Sequence, residues 1–488
     1  AIIGALMRRG AGDVYRFGPF ELDSSRRRLV RDGEPVSVPA RHLDILTFLA
    51  SNAGRVVSKD ALITAGWNDV AVSDNSIEQA ISSLRRTLGN QPDGAAYIET
   101  LARRGYRFAA AVDRRAARES DAALDAMLAP YRAFVDGRAA LETLDRDAVT
   151  RARDAFAQAL RTQPDHPSAH IGMANACILG FESTRADAAP DADALQLASH
   201  HAREGCRLDP SSGEAWSTLA FVLHRTGDAR EAIAAARKAV ALDPDDWRHF
   251  LRLAFVSWGE ERLRAARRVL TLYPRLALAY WFAATVFVAR DAFDAALEEL
   301  RPGCASQDAQ RKQHGRFNAV GLHLLHGLVL AAQGADDLAL DEFASELAFE
   351  EEGQLYAREC CANTWYALGS IRLRQGNREE AAAAFHESLR RVPGHPLAVL
   401  GLSAASPGAS QSEALRRSGN EVDTVIVRAA ALALQGDPAG AAQLCAAALT
   451  HAGPGAAGWI LPVDPLLHVT AHREAWAPAL AILRDRAS

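Results

Sequence analysis

The stretch SDNSIEQAISSLRRTLG, at residues 73–89, predicts a helix with one apolar face and one polar face. Its apolar side chains recur at intervals of 4, 3 and 4 residues, which places them on one side of a helix over about residues 75–88. They are Ile77, Ile81, Leu84 and Leu88. The other side carries Asn75, Glu78, Gln79, Ser82, Ser83, Arg85 and Arg86. We therefore expect one face to be buried and the other to present hydrogen-bonding groups.

The residues before this helix predict a small sheet followed by two more helices. Apolar and polar residues alternate over residues 15–38, and Asp32-Gly33 marks a hairpin turn inside that segment. Pro39 introduces the first helical pattern, and Ser58 is placed to cap the second one.

The residues after the helix predict a hairpin. Two short strand patterns lie at residues 97–98 and 106–108, and the sequence ARRG at residues 102–105 separates them. Two arginines are therefore expected at the tip of the hairpin.

A sheet, three helices and a hairpin in this order resemble the winged-helix DNA-binding domain of the OmpR/PhoB family. The resemblance rests on GRVVSKDAL at residues 54–62, the helix segment quoted above, and YIETLARRGYRF at residues 97–108. It is most similar to the CadC/HilA-like subgroup, in which this domain opens the chain. It implies an α+β winged helix-turn-helix domain over residues 14–112, which we expect to be followed by a linker at 113–124.

The resemblance also implies which residues bind DNA. The third helix would lie in the major groove, where polar side chains contact base edges. The candidates for base contacts are Glu78, Gln79, Ser82 and Ser83. The candidates for phosphate contacts are Arg85, Arg86 and Thr100, and the candidates on the wing are Arg103 and Arg104.

Two details of the resemblance concern the loops. Ala102 stands where response regulators carry a wing arginine, so Arg103 and Arg104 are expected to enter the narrow minor groove instead. The loop before the third helix is the family's surface for RNA polymerase. Its candidates here are Asn68, Asp69, Val70 and Asp74.

The charge distribution favours a nucleic-acid partner for the first part of the chain. Residues 1–115 hold 17 Lys and Arg against 13 Asp and Glu, a net charge of +4. The remaining residues hold 38 against 47, a net charge of −9. A basic N-terminal part joined to an acidic remainder points weakly to a nucleic-acid partner.

The second part of the chain, at residues 125–488, predicts an all-α solenoid that resembles tetratricopeptide repeats. The spacing of Trp216, Ala220, Gly227, Ala232, Ala239 and Pro244 matches that 34-residue helical hairpin. The same spacing recurs at Trp365, Gly369, Gly376, Ala381, Phe385 and Pro393. Such arrays bind proteins, peptides or, less often, small molecules, and they also form homo-oligomers.

The sequence favours neither an enzyme nor a membrane protein. No Walker loop, nucleophile elbow, HExxH helix or dinucleotide-binding loop is evident, so no catalytic site and no cofactor are expected. The best candidate span, at residues 276–289, is shorter than the roughly 20 residues that a membrane helix needs. We therefore expect a cytoplasmic protein without a membrane partner.

Histidine and cysteine pairs raise the question of a metal site. His323 and His326 could share an ion, as could His200 and His201, but neither pair comes with an evident set of further ligands. The six cysteines lack zinc-finger spacing and are expected to be buried free thiols. No metal is therefore expected.

Three functions compete on this evidence. A one-component transcription regulator is favoured, with the winged helix on promoter DNA, in tandem with a second copy, and the array dimerising or receiving a signal. The regulatory proteins of antibiotic synthesis in actinobacteria offer a related family with the same two parts. An adaptor whose winged helix has lost DNA binding or docks protein is the alternative, because Ser82 and Ser83 stand where many relatives have arginine. An enzyme hidden in the array is the third.

Overall fold

A computed structural model describes most of the 488-residue chain. The described residues are 13–24, 26–67, 74–102, 104–116, 134–142, 145–187, 189–313, 318–350, 354–406, 422–453 and 455–488. The chain divides into two compact units, Ala1–Ala129 and Pro130–Ser488. They match the two fold classes that the sequence predicts.

The first unit opens with an antiparallel sheet. Its strands are β1 (Asp13–Phe17), β2 (Phe20–Asp23), β3 (Arg28–Arg31), β4 (Glu34–Val36) and β8 (Asp113–Ala116), in the order β4-β3-β2-β1-β8. The predicted hairpin turn is confirmed between β3 and β4. There Asp32 and Gly33 both have positive φ, 50° and 90°, which is the conformation of a two-residue turn matched to the twist of the strands.

The sheet extends further along the chain than expected. Residues 113–116, which are predicted to belong to the linker, form β8 and pair with β1. Arg114 donates from Nε to Oδ2 of Asp13 at 2.8 Å, so an ion pair fastens the added strand. The charged composition of this segment is typical of an exposed edge strand as well as of a linker. The rest of the predicted linker lies outside the described residues.

Three helices and a second sheet complete the unit. The helices are α1 (Ala40–Ser51), α2 (Lys59–Trp67) and α3 (Asp74–Leu88). The sheet consists of β5 (Val56–Val57), β6 (Ile98–Leu101) and β7 (Gly105–Phe108), in the order β5-β7-β6. Ser58 caps α2 as predicted, because its Oγ accepts a hydrogen bond from the Ala61 N–H at 3.2 Å. The β6–β7 hairpin is the predicted wing.

The described elements of the second unit are helices, apart from one isolated β-bridge between Asp145 and Gln354. Its helices are α4 (Arg146–Thr162), α5 (Pro167–Thr184), α6 (Ala192–Leu208), α7 (Gly213–Thr226), α8 (Ala229–Leu242), α9 (Trp247–Val256), α10 (Gly259–Leu272), α11 (Ala277–Ala289), α12 (Phe293–Gln313), α13 (Leu322–Ala332), α14 (Asp336–Leu347), α15 (Ala357–Arg374), α16 (Arg378–Arg391), α17 (Pro396–Ala405), α18 (Val422–Leu434), α19 (Pro438–His451) and α20 (Arg473–Arg486). Short 3₁₀ segments lie at Leu461–Val463 and Val469–His472. Each helix from α4 onward packs against the next.

The two predicted repeats are helical hairpins, α7–α8 and α15–α16. Gly227 ends α7 in the left-handed conformation, with φ 91°, which turns the chain toward α8. In α15–α16 the small residue is required by packing. A Cβ on Gly369 would lie 2.9 Å from Cε1 of Phe385 and 3.2 Å from the Ala381 carbonyl oxygen. The glycine therefore allows the two helices to approach closely.

The described residues also bear on two other predictions, which concern a membrane span and the cysteines. None of the described helices combines the length and the apolar character that a membrane span requires, and the apolar run near residue 280 forms the buried helix α11. All six cysteines are buried and free, as predicted.

Candidate nucleic-acid interface

Helix α3 is anchored by the apolar face that the sequence predicts. Ile77, Ile81, Leu84 and Leu88 are all at most 2% exposed and belong to the core of the first unit. Because this side is fixed in the core, the polar side is directed outward. Glu78, Gln79 and Ser82 are exposed, and Ser83 is partly buried. The four candidates for base contacts therefore lie on one helix, in a register set by the core.

An ion pair restrains one of these candidates. The Lys59 ammonium, at the start of α2, lies 3.0 Å from Oε1 of Glu78. Sequence reasoning missed Lys59, although its place directly after the capping Ser58 puts it in the first turn of α2. The pair holds the Glu78 carboxylate toward α2, which leaves Gln79 and Ser82 as the less restrained polar groups.

Arg85 joins α3 to the wing. Its Nε donates to the Ile98 carbonyl oxygen at 2.9 Å, and its Nη2 donates to Oγ1 of Thr100 at 2.7 Å. The family resemblance predicts that both Arg85 and Thr100 contact the phosphate backbone, and the structure brings the two residues into contact with each other. Arg86, the next residue, is exposed.

The wing is a tight hairpin that presents Arg104 to solvent. Gly105 has φ 120°, and a Cβ there would lie only 2.0 Å from the Val57 carbonyl oxygen, so only glycine fits between β7 and β5. Across the hairpin, Arg107 donates from Nε to Oε2 of Glu99 at 3.0 Å. Arg107 is therefore paired, whereas Arg104 is an exposed cation at the tip.

Several candidates cannot be placed. Arg103, Asn68, Asp69 and Val70 lie outside the described residues. Asp74 begins α3, but its side chain is not described. The loop predicted to face RNA polymerase therefore stays a prediction.

The second unit has a groove between α6, α7 and α8, with a volume of about 720 Å³. Its apolar wall includes Trp216, Leu219 and Leu223. The Lys238 ammonium lies over the Trp216 ring, 3.6 Å from its centroid, which is a cation–π contact. Burial raises the pKa of the Cys206 thiol, another lining residue, to about 11, so this thiol stays neutral near pH 7. The groove thus offers an apolar floor beside a cation.

Both units match families of known proteins. The family model described as "Transcriptional regulatory protein, C terminal" matches residues 33–108. Two models described as "Tetratricopeptide repeat" match residues 213–246 and 366–405. The last two ranges contain the hairpins α7–α8 and, in large part, α15–α16.

Individual relatives match the first unit. The transcriptional activator CadC of Escherichia coli strain K12 is 34% identical over 96 residues, which are 20% of this chain and 19% of CadC. The transcriptional regulator HilA of Salmonella typhi is 38% identical over 80 residues, which are 16% of this chain and 14% of HilA. The chain therefore spans less than a fifth of the length of these relatives.

A solved structure is also similar to part of the chain. The DNA-binding domain of E. coli CadC is 32% identical and is covered completely by 22% of this chain, with a TM-score of 0.20. The family models, together with CadC and HilA, show that the chain joins an OmpR/PhoB-type winged-helix domain of the CadC/HilA-like kind to tetratricopeptide repeats.

Proposed function

We propose that the protein is a one-component transcription regulator whose α3 enters the major groove of promoter DNA. The observation that carries this proposal is the polar face of α3, which is exposed while the opposite face is locked in the core. Gln79 and Ser82 are the side chains available for base edges, since Glu78 is paired with Lys59. Ser83 lies beside them but is partly buried, so we assign it a smaller part of the contacts to base edges.

Contacts to the DNA backbone are assigned to the cations that flank this face. Arg86 and Arg104 are exposed and bind phosphate or the minor groove, which positions the domain without specifying sequence. The hydroxyl of Thr100, which lies next to Arg85, is a further group that we assign to the phosphate contacts. Arg103 is retained as a wing contact on the strength of the family resemblance.

The proposal predicts opposite effects for two substitutions. Gln79→Ala should alter sequence preference, because a base contact is lost, with a change of about 1–3 kcal/mol at one base position. Arg86→Ala should weaken binding to all sequences alike and lower the salt dependence of the affinity, because fewer counterions are released. Selection from a random duplex library, using the full chain at two salt concentrations, measures both effects.

A matched control is available in the second unit. Arg230 is an exposed arginine on α8, and Arg230→Ala should leave preference and affinity unchanged. A motif repeated about one helical turn apart would show tandem binding by two copies. If the wild-type chain enriches no motif at either salt concentration, the adaptor function would replace the regulator proposal.

The second unit is proposed to bind a protein or peptide partner, which is the common role of tetratricopeptide arrays. The groove between α6, α7 and α8 is the surface we assign to it. Lys238→Glu should abolish partner cross-linking at this groove while leaving DNA binding intact, and Arg230→Ala again serves as the control. Contact of the loop before α3 with RNA polymerase, and homo-oligomerisation through the array, are parts of the proposal that the family resemblance supports.

A further inference from the structure

Metal-binding side chains from three helices of the second unit meet in one place. Cys304 lies on α12, His323 on α13 and Glu342 on α14, and one ligand atom from each lies within 4.8 Å of the others. Cys304 and His323 are buried, and Glu342 is partly buried. The three residues are 38 positions apart at most in sequence, so the helical packing brings them together.

His326 adds a fourth group. It lies three residues after His323, so both rings leave the same side of α13. Its Nδ1 lies 3.0 Å from Oε1 of Glu342 and 3.8 Å from Sγ of Cys304. Neighbouring ligand atoms in a tetrahedral zinc site lie roughly 3.3–3.8 Å apart, given Zn–N and Zn–S bonds of about 2.0 and 2.3 Å. The His326 contacts are close to that spacing.

The contact between His323 and Glu342 is the shortest in the cluster. Nδ1 of His323 lies 2.6 Å from Oε2 of Glu342, so these two atoms must separate by about 0.7 Å to take a shared ion. The remaining ring nitrogen of His323, Nε2, lies 3.3 Å from Oδ1 of Asp308. A carboxylate behind a ligating imidazole is the usual outer partner that fixes the ring's tautomer.

A second carboxylate is built into the surroundings. Glu346, one turn after Glu342 on α14, is completely buried. It accepts hydrogen bonds from the Gly321 N–H at 2.8 Å and from Nε2 of Gln307 at 3.2 Å. Among the described residues, the two histidine rings are the ion-pair partners of the Glu342 carboxylate, one at each of its oxygens. A divalent cation seated at this point would meet one carboxylate and two imidazoles.

We propose that Cys304, His323, His326 and Glu342 form a binding site for a divalent transition-metal ion, with Zn²⁺ the best match. One thiolate, two imidazoles and one carboxylate suit zinc or its close neighbours, whereas Mg²⁺ and Ca²⁺ require oxygen ligands. All four positions are filled by protein side chains, so the site is of the closed, structural kind. The ion would clamp α12, α13 and α14 together.

The sequence alone indicated only part of this site. The spacing of His323 and His326 is visible, but Glu342 lies about 16 residues after the pair and Cys304 about 20 residues before it. The structure instead brings Glu342 into contact with both rings. The site is independent of the DNA-binding proposal.

Cobalt provides a direct test on the full chain. After removal of metals with a chelator and addition of Co²⁺, the protein should bind one equivalent and show a thiolate-to-Co²⁺ charge-transfer band, with visible bands of tetrahedral intensity. Added Zn²⁺ should displace the cobalt and abolish the bands. Cys304→Ser should lose the charge-transfer band, whereas Cys206→Ser, which removes a buried thiol lining the groove between α6, α7 and α8, should keep it.

A second variant separates coordination from folding. Asp308→Asn removes the outer carboxylate while keeping all four ligands, so Zn²⁺ affinity should fall roughly 10–100-fold with helix content by circular dichroism unchanged. A wild-type chain that shows no charge-transfer band with excess Co²⁺ would overturn the proposal. An identical band in Cys304→Ser would overturn it as well, since the thiolate would then come from another residue.

Discussion

At the scale of single residues, Arg85 shows how a side chain can support an interface without being free to make it. Its guanidinium is committed to the Ile98 carbonyl oxygen and the Thr100 hydroxyl, and these two bonds set the position of β6 relative to α3. Sequence reasoning identified Arg85 from the family resemblance, but the residues it contacts lie 13 and 15 positions later. Helical periodicity carries no information about such contacts.

This geometry predicts different outcomes for two adjacent arginines. Arg85→Lys keeps the charge but cannot reproduce both hydrogen bonds, so the first unit should lose about 1 kcal/mol of unfolding free energy. Arg86→Lys should leave stability within about 0.5 kcal/mol of the wild type, because Arg86 is exposed. Urea denaturation of the full chain, followed in the first unit by hydrogen exchange, measures both. Equal stability of the two variants would contradict the supporting role of Arg85.

At the scale of elements, the apolar periodicity of α3, the Asp-Gly turn and the cap at Ser58 were all predictable, because each depends on residues within a few positions of one another. Strand β8 was not predictable in the same way. Asp113–Ala116 is short and charged, and it becomes a strand because β1 offers it an unpaired edge. The Lys59–Glu78 ion pair was not predictable either, because its two residues are 19 positions apart in the sequence.

The cap of α17 predicts a dependence on pH. Nδ1 of His395 accepts from the Ala398 N–H at 3.1 Å, and Nε2 donates to Oδ1 of Asn363 at 2.9 Å, so the ring must be neutral. Burial lowers the pKa of His395 from 6.5 to about 4. Between these values the unfolded state binds more protons than the folded state. The stability that neutral His395 contributes should therefore be fully present above about pH 6.5 and be lost progressively as the pH falls toward 4.

The matched variant for this prediction is His395→Asn, which can still cap the helix but does not titrate. Wild type and variant should lose different amounts of unfolding free energy when the pH changes from about 7.5 to about 5, with the larger loss in the wild type. Denaturant titrations at the two pH values provide the comparison. An equal loss would assign the pH dependence to other groups.

Two glycines in helices of the second unit predict changes of opposite sign. Gly369→Ala should destabilise the unit by about 1–3 kcal/mol, because the new methyl group would press on Phe385 and the Ala381 carbonyl. At Gly180, in α5, a Cβ would meet nothing within 4 Å. Gly180→Ala should therefore stabilise by about 0.5–1 kcal/mol, through lower backbone entropy in the unfolded chain. Thermal melting of the two variants tests the pair.

At the scale of the whole molecule, the second unit is more than a string of neighbouring hairpins. Arg185 on the loop after α5 pairs with Glu359 on α15 at 2.9 Å, and a β-bridge joins Asp145 to Gln354. Trp281 on α11 packs edge-on against Trp459, with centroids 5.6 Å apart. The repeat spacing predicted the hairpins, but it did not predict these contacts, because a repeat pattern describes only adjacent units.

These contacts predict cooperative unfolding of the second unit. In a simple solenoid, terminal repeats unfold at lower denaturant than central ones. Here α7 and α18 should lose protection from hydrogen exchange at the same urea concentration. Trp459→Ala, which removes a ring that bridges distant helices, should shift both transitions together. Separate midpoints for α7 and α18 in the wild type would show that the long-range contacts do not couple them.

The cover that α11 receives from Trp459 and from the end of the chain is completed late in synthesis. Arg290, at the end of α11, donates from Nε to the Ala487 carbonyl oxygen at 2.9 Å, across 197 positions. At synthesis rates of about 5–20 residues per second, roughly 10–40 s pass between the two residues leaving the ribosome. During that interval the surface of α11 that later receives Trp459 and α20 has no native cover. The nascent chain is then most exposed to aggregation, and a chaperone that holds α11 should improve its yield.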